Sequence, residues 1–127
     1  MRFILQPLDQ FLGFQYQRLS SARVLILLQL KPIHFNSVGV VHGGIISTMV
    51  DVAMSNLVEA DENGVQRAVT TDLHTTFVTG ATGEMLAAEA SIVKQGRRLM
   101  YAECEVRNDQ DQLVARSVGT FFMKQTE

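Results

Sequence analysis

The sequence predicts an α+β domain in which an antiparallel sheet wraps around one long central helix. Two observations carry this expectation. Residues 43–60 repeat apolar side chains at helical spacing and are apolar nearly all round, which marks a buried helix. Almost everything after residue 66 alternates as strands do and is cut by short polar turns. A buried helix has to be covered, and consecutive strands with short connections are the part of the chain able to cover it.

The elements follow in order. Residues 3–12 read as a short N-terminal helix, with Pro7 in its first turn and Phe3, Leu8, Phe11 and Leu12 on its apolar side. From Phe14 to Leu19, apolar Phe14 and Tyr16 alternate with Gln15 and Gln17, a strand pattern. Ser20-Ser21 turns the chain into a second strand, Arg23 to Lys31. Residues 32–39 are irregular and polar, with Asn36-Ser37 as a turn signal. The central helix is expected from Gly43 to Ala60. Ile46, Met49, Val50, Ala53, Leu57 and Ala60 recur at its helical spacing, and its only polar stripe is Ser47, Asp51, Ser55 and Glu59. After the loop Asp61-Glu62-Asn63-Gly64 come four strands: Arg67–Phe77, Glu84–Gln95, Arg98–Arg107 and Leu113–Lys124. Gly80 to Gly83, Gln95-Gly96-Arg97 and Asn108-Asp109-Gln110-Asp111 read as hairpin turns, which makes these strands a meander.

Composition narrows the function classes. The 127 residues suit one domain with a moderate core that a dimer would enlarge. The net charge is −2 and the basic residues are scattered except near 94–98, so there is no electrostatic case for nucleic acid or an anionic membrane. Cys104 is the only cysteine, which excludes an internal disulfide and fits a reducing compartment. The start turns polar too soon for a secretory signal, and the greasiest run, Val24 to Leu30, is too short to span a bilayer. The expectation is a cytoplasmic protein.

The chemistry concentrates in Val41-His42-Gly43-Gly44-Ile45-Ile46-Ser47-Thr48-Met49-Val50-Asp51. Glycines at a helix start let a ligand atom approach unpaired backbone N–H groups at the positive end of the helix dipole. Asp51 places a carboxylate two turns in, among apolar neighbours, where it must be solvated, paired or used. An oxyanion donor and a carboxylate on one helix point to acyl transfer.

The pattern Asn36-x-x-Gly39-x-x-His42-Gly43-Gly44 followed by Asp51 resembles the hotdog-fold acyl-CoA thioesterases of the phenylacetate-degradation (PaaI-like) group. The resemblance runs from about residue 30 to 123. It includes Val69-Thr70-Thr71-Asp72-Leu73, Phe77, Gly96-Arg97-Arg98 and the closing stretch Ala115 to Phe121. It implies a hotdog fold and hydrolysis of an acyl-CoA at a site shared by two subunits of a homodimer or homotetramer. In that scheme the Gly43 N–H polarises the thioester carbonyl, and Asp51 of the other subunit acts as general base or nucleophile. Asn36 and His42 orient the loop and the thioester, and Thr70 helps place the attacking water. No metal or other cofactor is expected: a thioester is already a reactive acyl donor, and His34 and His74 form no metal spacing with His42. The strand end at Thr76 to Gly80 lacks the proline common in the group, and Val52 stands where a small residue is common, which touches the pocket's shape more than the chemistry.

Plainer roles are open to the same residues. Gly43 and Gly44 also suit a tight turn, Asn36 a turn and Thr70 an ordinary strand position. Asp51 also fits a solvated stripe. Lys94, Arg97 and Arg98 suit the phosphates of coenzyme A, and equally a charged hairpin tip. Met49, Phe77, Met85 and Met100 suit an acyl pocket or simply the core. Two rival functions keep the same fold. One is a non-catalytic acyl-CoA-binding or sensing protein, which Gly43 and Asp51 argue against. The other is a hydroxyacyl-thioester dehydratase, for which His42 is poorly placed. The acyl group, and coenzyme A as against an acyl carrier protein, are not readable from the residues.

Overall fold

The alternation of residues 15–29 and 68–123 resolves into six strands of one antiparallel sheet. The computed structural model describes residues 2–124; the single domain expected over 1–127 includes Met1 and 125–127, which lie outside the described residues. In chain order the elements are α1 (Pro7–Leu12), β1 (Gln15–Ser20), β2 (Arg23–Gln29), a 3-10 turn (Pro32–His34), α2 (Gly43–Ser55), β3 (Ala68–Phe77), β4 (Met85–Gln95), β5 (Leu99–Asn108) and β6 (Leu113–Met123).

The sheet runs β1-β2-β4-β5-β6-β3 and curls around α2, the hotdog arrangement. Period-two side chains explain the wrap. Val24, Ile26 and Leu28 of β2, Leu86, Ala88 and Ala90 of β4, and Met100, Ala102 and Val106 of β5 are fully buried beneath the helix. Opposite them Met49, Val50, Ala53 and Met54 of α2 are also fully buried. Each large side chain sealed here contributes about 1.5–3 kcal/mol.

Four expectations need correction. First, residues 78–84 do not form a hairpin. β3 pairs with β6, from Ala68 opposite Met123 to Phe77 opposite Ala115, and occupies the sheet edge, while β4 lies between β2 and β5. The 78–84 segment is a crossing connection, tied by Val78 N–H to Val114 O (2.8 Å) and by Val41 N–H to Ala81 O (2.9 Å). Second, α2 stops at Ser55 rather than Ala60. The Asn56 side chain donates to Val52 O (2.9 Å) and accepts the Ile4 N–H (2.8 Å), and the chain turns there, although Leu57, Val58 and Ala60 stay buried. Third, the helical stripe is therefore shorter than expected: Ser55 is buried, and Glu59 lies beyond the helix, accepting the Arg2 N–H. Fourth, α1 starts only at Pro7, because the residue before a proline is held extended (Gln6 φ −88°, ψ 148°). It buries Asp9 and Leu12, leaving Leu8 and Phe11 exposed. Residues 2–6 instead cross the end of α2 without regular secondary structure, with Phe3 stacked on Tyr16 at 5.3 Å.

Candidate active site

The start of α2 is built by backbone and histidine together. His42 is the N-cap: its Nδ1 accepts the Gly44 N–H at 2.8 Å, and its carbonyl accepts the N–H of Ile45 at 2.9 Å. The His42 N–H donates to His34 O at 2.8 Å. His34 is itself locked in the core, with Nδ1 accepting the Lys31 N–H and Nε2 2.9 Å from Leu12 O. A Cβ at position 44 would stand 3.0 Å from His42 Nδ1, so glycine is what admits this cap. The Gly44 N–H, one of the helix-start donors expected to be open to a ligand, is thus already committed. Among the described residues nothing accepts the Gly43 N–H, which leaves it as the open donor at the helix start.

Asn36 acts through its loop. Its side-chain oxygen accepts the N–H groups of Val38 (3.0 Å) and Val40 (3.2 Å), and its own N–H donates to Val40 O (2.8 Å). That closes residues 36–40, with Gly39 in the left-handed region (φ +87°). The loop forms one wall of an apolar cleft of about 260 Å³ between Asn36, Val40, Gly43, Ile46, Phe77 and Val78. The Phe77 ring leans on Gly43: a Cβ there would meet its Cζ at 3.4 Å. Of the other apolar residues offered for an acyl pocket, Met49 and Met100 are fully buried in the core and Met85 is exposed at the start of β4.

Two turns along α2, half-buried Asp51 meets β3. Thr70 Oγ1 donates to Asp51 Oδ1 at 2.6 Å, a short charge-assisted bond that orients the carboxylate. The register of β3 against β6 shifts between Thr70 and Asp72. A bulge re-aims side chains locally, and this one sits where Thr70 reaches the helix. Behind Asp51 a smaller cavity of about 40 Å³ is shared by Asp9, Ser55 and Gln66. Burial first, and then the charge of Asp51, raise the Asp9 carboxyl above its ordinary value. Sequence reasoning missed Asp9, because an Asp in a first helical turn reads as a dipole partner facing solvent.

The expected residues therefore gather in two groups. Asn36, His42, Gly43 and Phe77 lie at the helix start, and Asp51 and Thr70 lie eight residues along, about 12 Å at 1.5 Å per residue. One carbonyl cannot touch both within a single chain. Lys94, Arg97 and Arg98 form a third group, exposed on the β4–β5 hairpin. Gln95 of that hairpin lines a hollow with Leu57, Val58 and Arg67, beyond the far end of α2 from Gly43. A larger hollow of about 460 Å³ on the outer sheet face is lined by charges that pair among themselves, as Arg116 does with Glu103 (3.8 Å) and Glu105 (3.5 Å). The Cys104 thiol is buried and its pKa is pushed far up by that burial, so it supplies no nucleophile.

Residues 38–115, more than half of the chain, match a family model described as the thioesterase superfamily. Acyl-coenzyme A thioesterase 13 of Mus musculus is 29% identical over 87 residues, which cover 68% of this chain and 61% of that protein. The chain thus spans less than two thirds of that relative's length. The medium/long-chain acyl-CoA thioesterase YigI of Escherichia coli K12 is 21% identical over 132 aligned positions, covering 92% of this chain and 85% of YigI. Among solved structures, the BH2602 protein from Bacillus halodurans, crystallised with CoA, superposes with a TM-score of 0.84 at 32% identity. The superposition covers 99% of this chain and 83% of that one.

Proposed function

The chain belongs to the thioesterase superfamily, and from that premise we propose that it hydrolyses an acyl-CoA thioester to a carboxylic acid and free coenzyme A, as a member of the phenylacetate-degradation group. The observation that carries the reading is the pairing on one helix of an open Gly43 N–H beside an apolar cleft with an Asp51 carboxylate held by Thr70. The Gly43 donor stabilises the oxyanion as the carbonyl is attacked, an effect worth roughly 10²–10³ in rate. Asp51 takes the proton of the attacking water, or attacks the carbonyl itself to form a mixed anhydride that water hydrolyses to the acid once the thiolate has left. Collapse of the tetrahedral intermediate expels the coenzyme A thiolate, which is then protonated. His42 and Asn36 hold the donor in place and move no proton. No metal or organic cofactor enters this scheme.

The roughly 12 Å between Gly43 and Asp51 supports a site completed by a second copy, with Gly43 from one subunit and Asp51 from the other. The edge position of β3 supports the same assembly. Its ten residues pair on one side only and leave Val69 and Phe77 exposed, a combination that invites another strand. The 260 Å³ cleft suits an acyl group rather than a whole acyl-CoA, so the partner supplies the remaining walls. Lys94, Arg97 and Arg98 are the candidates for the phosphates of coenzyme A. Coenzyme A as substrate and a lone buried thiol support a cytoplasmic location; among the described residues no helix is long and apolar enough to cross a membrane.

The test is a hydrolysis screen over a panel of acyl-CoAs, reading free thiol, with Asp51→Asn beside the wild type. The variant keeps the shape and removes the charge, so kcat should fall by roughly 10²-fold or more while binding changes little. Light scattering at micromolar concentration should show a dimer or a dimer of dimers. Mixing inactive Asp51→Asn subunits with subunits disabled at the Gly43 loop should restore activity, because mixed dimers regain one intact site. An Asp51→Asn protein with near-normal kcat would reduce Asp51 to a solvated side chain and end the catalytic assignment.

A further inference from the structure

The N-terminal segment brings a second carboxylate to the back of Asp51. Asp9 is only 4% exposed and shares the roughly 40 Å³ cavity with Asp51, Ser55 and Gln66. A cavity of this size and polarity has room for a water molecule. No hydrogen bond from the described residues reaches the Asp9 carboxyl group, while Asp51 has one oxygen engaged by Thr70. The approach is held from several sides. Ile4 N–H donates to Asn56 Oδ1 at 2.8 Å, Gln6 Nε2 donates to Gln66 Oε1 at 3.1 Å, and Ala60 N–H donates to Arg2 O at 3.1 Å. These bonds pin residues 2–6 across the end of α2 and seat α1 over Asp51.

Burying a carboxyl group beside another carboxylate disfavours its ionised form, and among the described residues no guanidinium or ammonium acts on it. The groups that face it are Asp51 from α2 and Tyr16 from β1, whose phenol is raised by burial and by Asp9. Packing alone would be served as well by an uncharged side chain.

We propose that Asp9 is a positioning residue for Asp51, donating a hydrogen bond across this cavity to the Asp51 carboxylate, directly or through one water. The inference rests on the reading of Asp51 as the hydrolytic carboxylate. In its protonated state Asp9 is a donor, and its raised proton affinity extends that state to higher pH than an exposed aspartate would allow. Thr70 then holds Asp51 from the β3 side and Asp9 from the α1 side, which leaves the carboxylate one orientation toward the reacting water. The proton stays on Asp9 throughout turnover. When Asp9 ionises with rising pH, the donor is lost, a like charge stands beside Asp51, and kcat falls.

The test measures kcat and KM against pH, on an acyl-CoA that the wild type turns over, for Asp9→Leu and Asp9→Asn. Asp9→Leu should lose about tenfold or more in kcat, the scale of one charge-assisted hydrogen bond, with KM within about twofold. Asp9→Asn carries a donor that does not titrate. It should recover most of that loss and lack the decline that the wild type shows as Asp9 ionises. Wild-type kcat in Asp9→Leu, or the wild-type pH profile in Asp9→Asn, would overturn the proposal. If the leucine variant does not fold, the profile of the asparagine variant decides alone. Asp51→Asn separates the two levels. A dead Asp51→Asn beside unaffected Asp9 variants removes only the role of Asp9, whereas an active Asp51→Asn removes the thioesterase reading and this inference with it.

Discussion

Replacing Thr70 by valine deletes one hydroxyl at nearly constant shape and tests how Asp51 is held. In the wild type Thr70 Oγ1 donates to Asp51 Oδ1 at 2.6 Å from a strand whose register is bulged at that point. A hydrogen bond to a charged group contributes about 1.5–3 kcal/mol when well shielded. Thr70 is exposed and Asp51 half-buried, so the low end applies. About 1.4 kcal/mol corresponds to tenfold in rate. Thr70→Val should therefore lower kcat by about tenfold and leave KM almost unchanged, because the apolar cleft and the Gly43 donor lie at the other end of the helix. Tm should fall by only a few degrees, the scale of about 1.5 kcal/mol lost from the folded state, so the protein stays folded at assay temperature. Thr70→Ser restores the donor and should restore most of the rate. The assay is continuous detection of the free thiol released from an acyl-CoA, with melting followed in parallel. A Thr70→Val enzyme at wild-type kcat, or a serine variant as impaired as valine, would show that this bond plays no part in aiming the carboxylate.

Three further outcomes follow from the same geometry. Gly44→Ala would put a Cβ 3.0 Å from His42 Nδ1 and displace the cap. The lost cap, about 1 kcal/mol, is offset by the better helix propensity of alanine, of similar size, so Tm should stay close to wild type while kcat falls; calorimetry with kinetics separates the two. Replacing Arg97 and Arg98 by alanine should raise KM and spare kcat if they bind the phosphates of coenzyme A, as expected for uniform binding; an unchanged KM would return them to being charges on a hairpin tip. Asp9→Asn should stabilise the fold at neutral pH, because the raised Asp9 carboxyl means that the folded state holds its proton more tightly than the unfolded chain. Wild-type stability therefore declines as pH rises from the ordinary aspartate value, about 3.9, through the raised one. Below the ordinary value both states are protonated and the advantage of the variant should vanish, which denaturant titrations at several pH values would read.

Much of this molecule is legible residue by residue. The buried helix, its glycine start and the six strands follow from side-chain spacing, because helical and strand periodicities are local properties of the chain. The His42-Gly43-Gly44 start and Asp51 stand out for the same reason: glycines and a carboxylate inside an apolar helix are costly unless used. Tertiary structure decided what depends on partners far away in the chain. β3 leaves its sequence neighbour β4 and takes the edge beside β6, since backbone pairing is free to choose any strand whose inward face also fits the helix. α2 ends at Ser55 although its apolar period continues, because Asn56 finds Ile4 and the turn that follows still buries Leu57 and Val58. The Gly44 N–H is consumed by a histidine whose own backbone is pinned by His34, a contact that no spacing rule reveals. Asp9 faces Asp51 rather than solvent only because residues 2–6 are strapped across the helix end. Periodicity specifies which face of an element is apolar, whereas the burial of a polar group depends on which distant segment closes over it, and that is settled by packing.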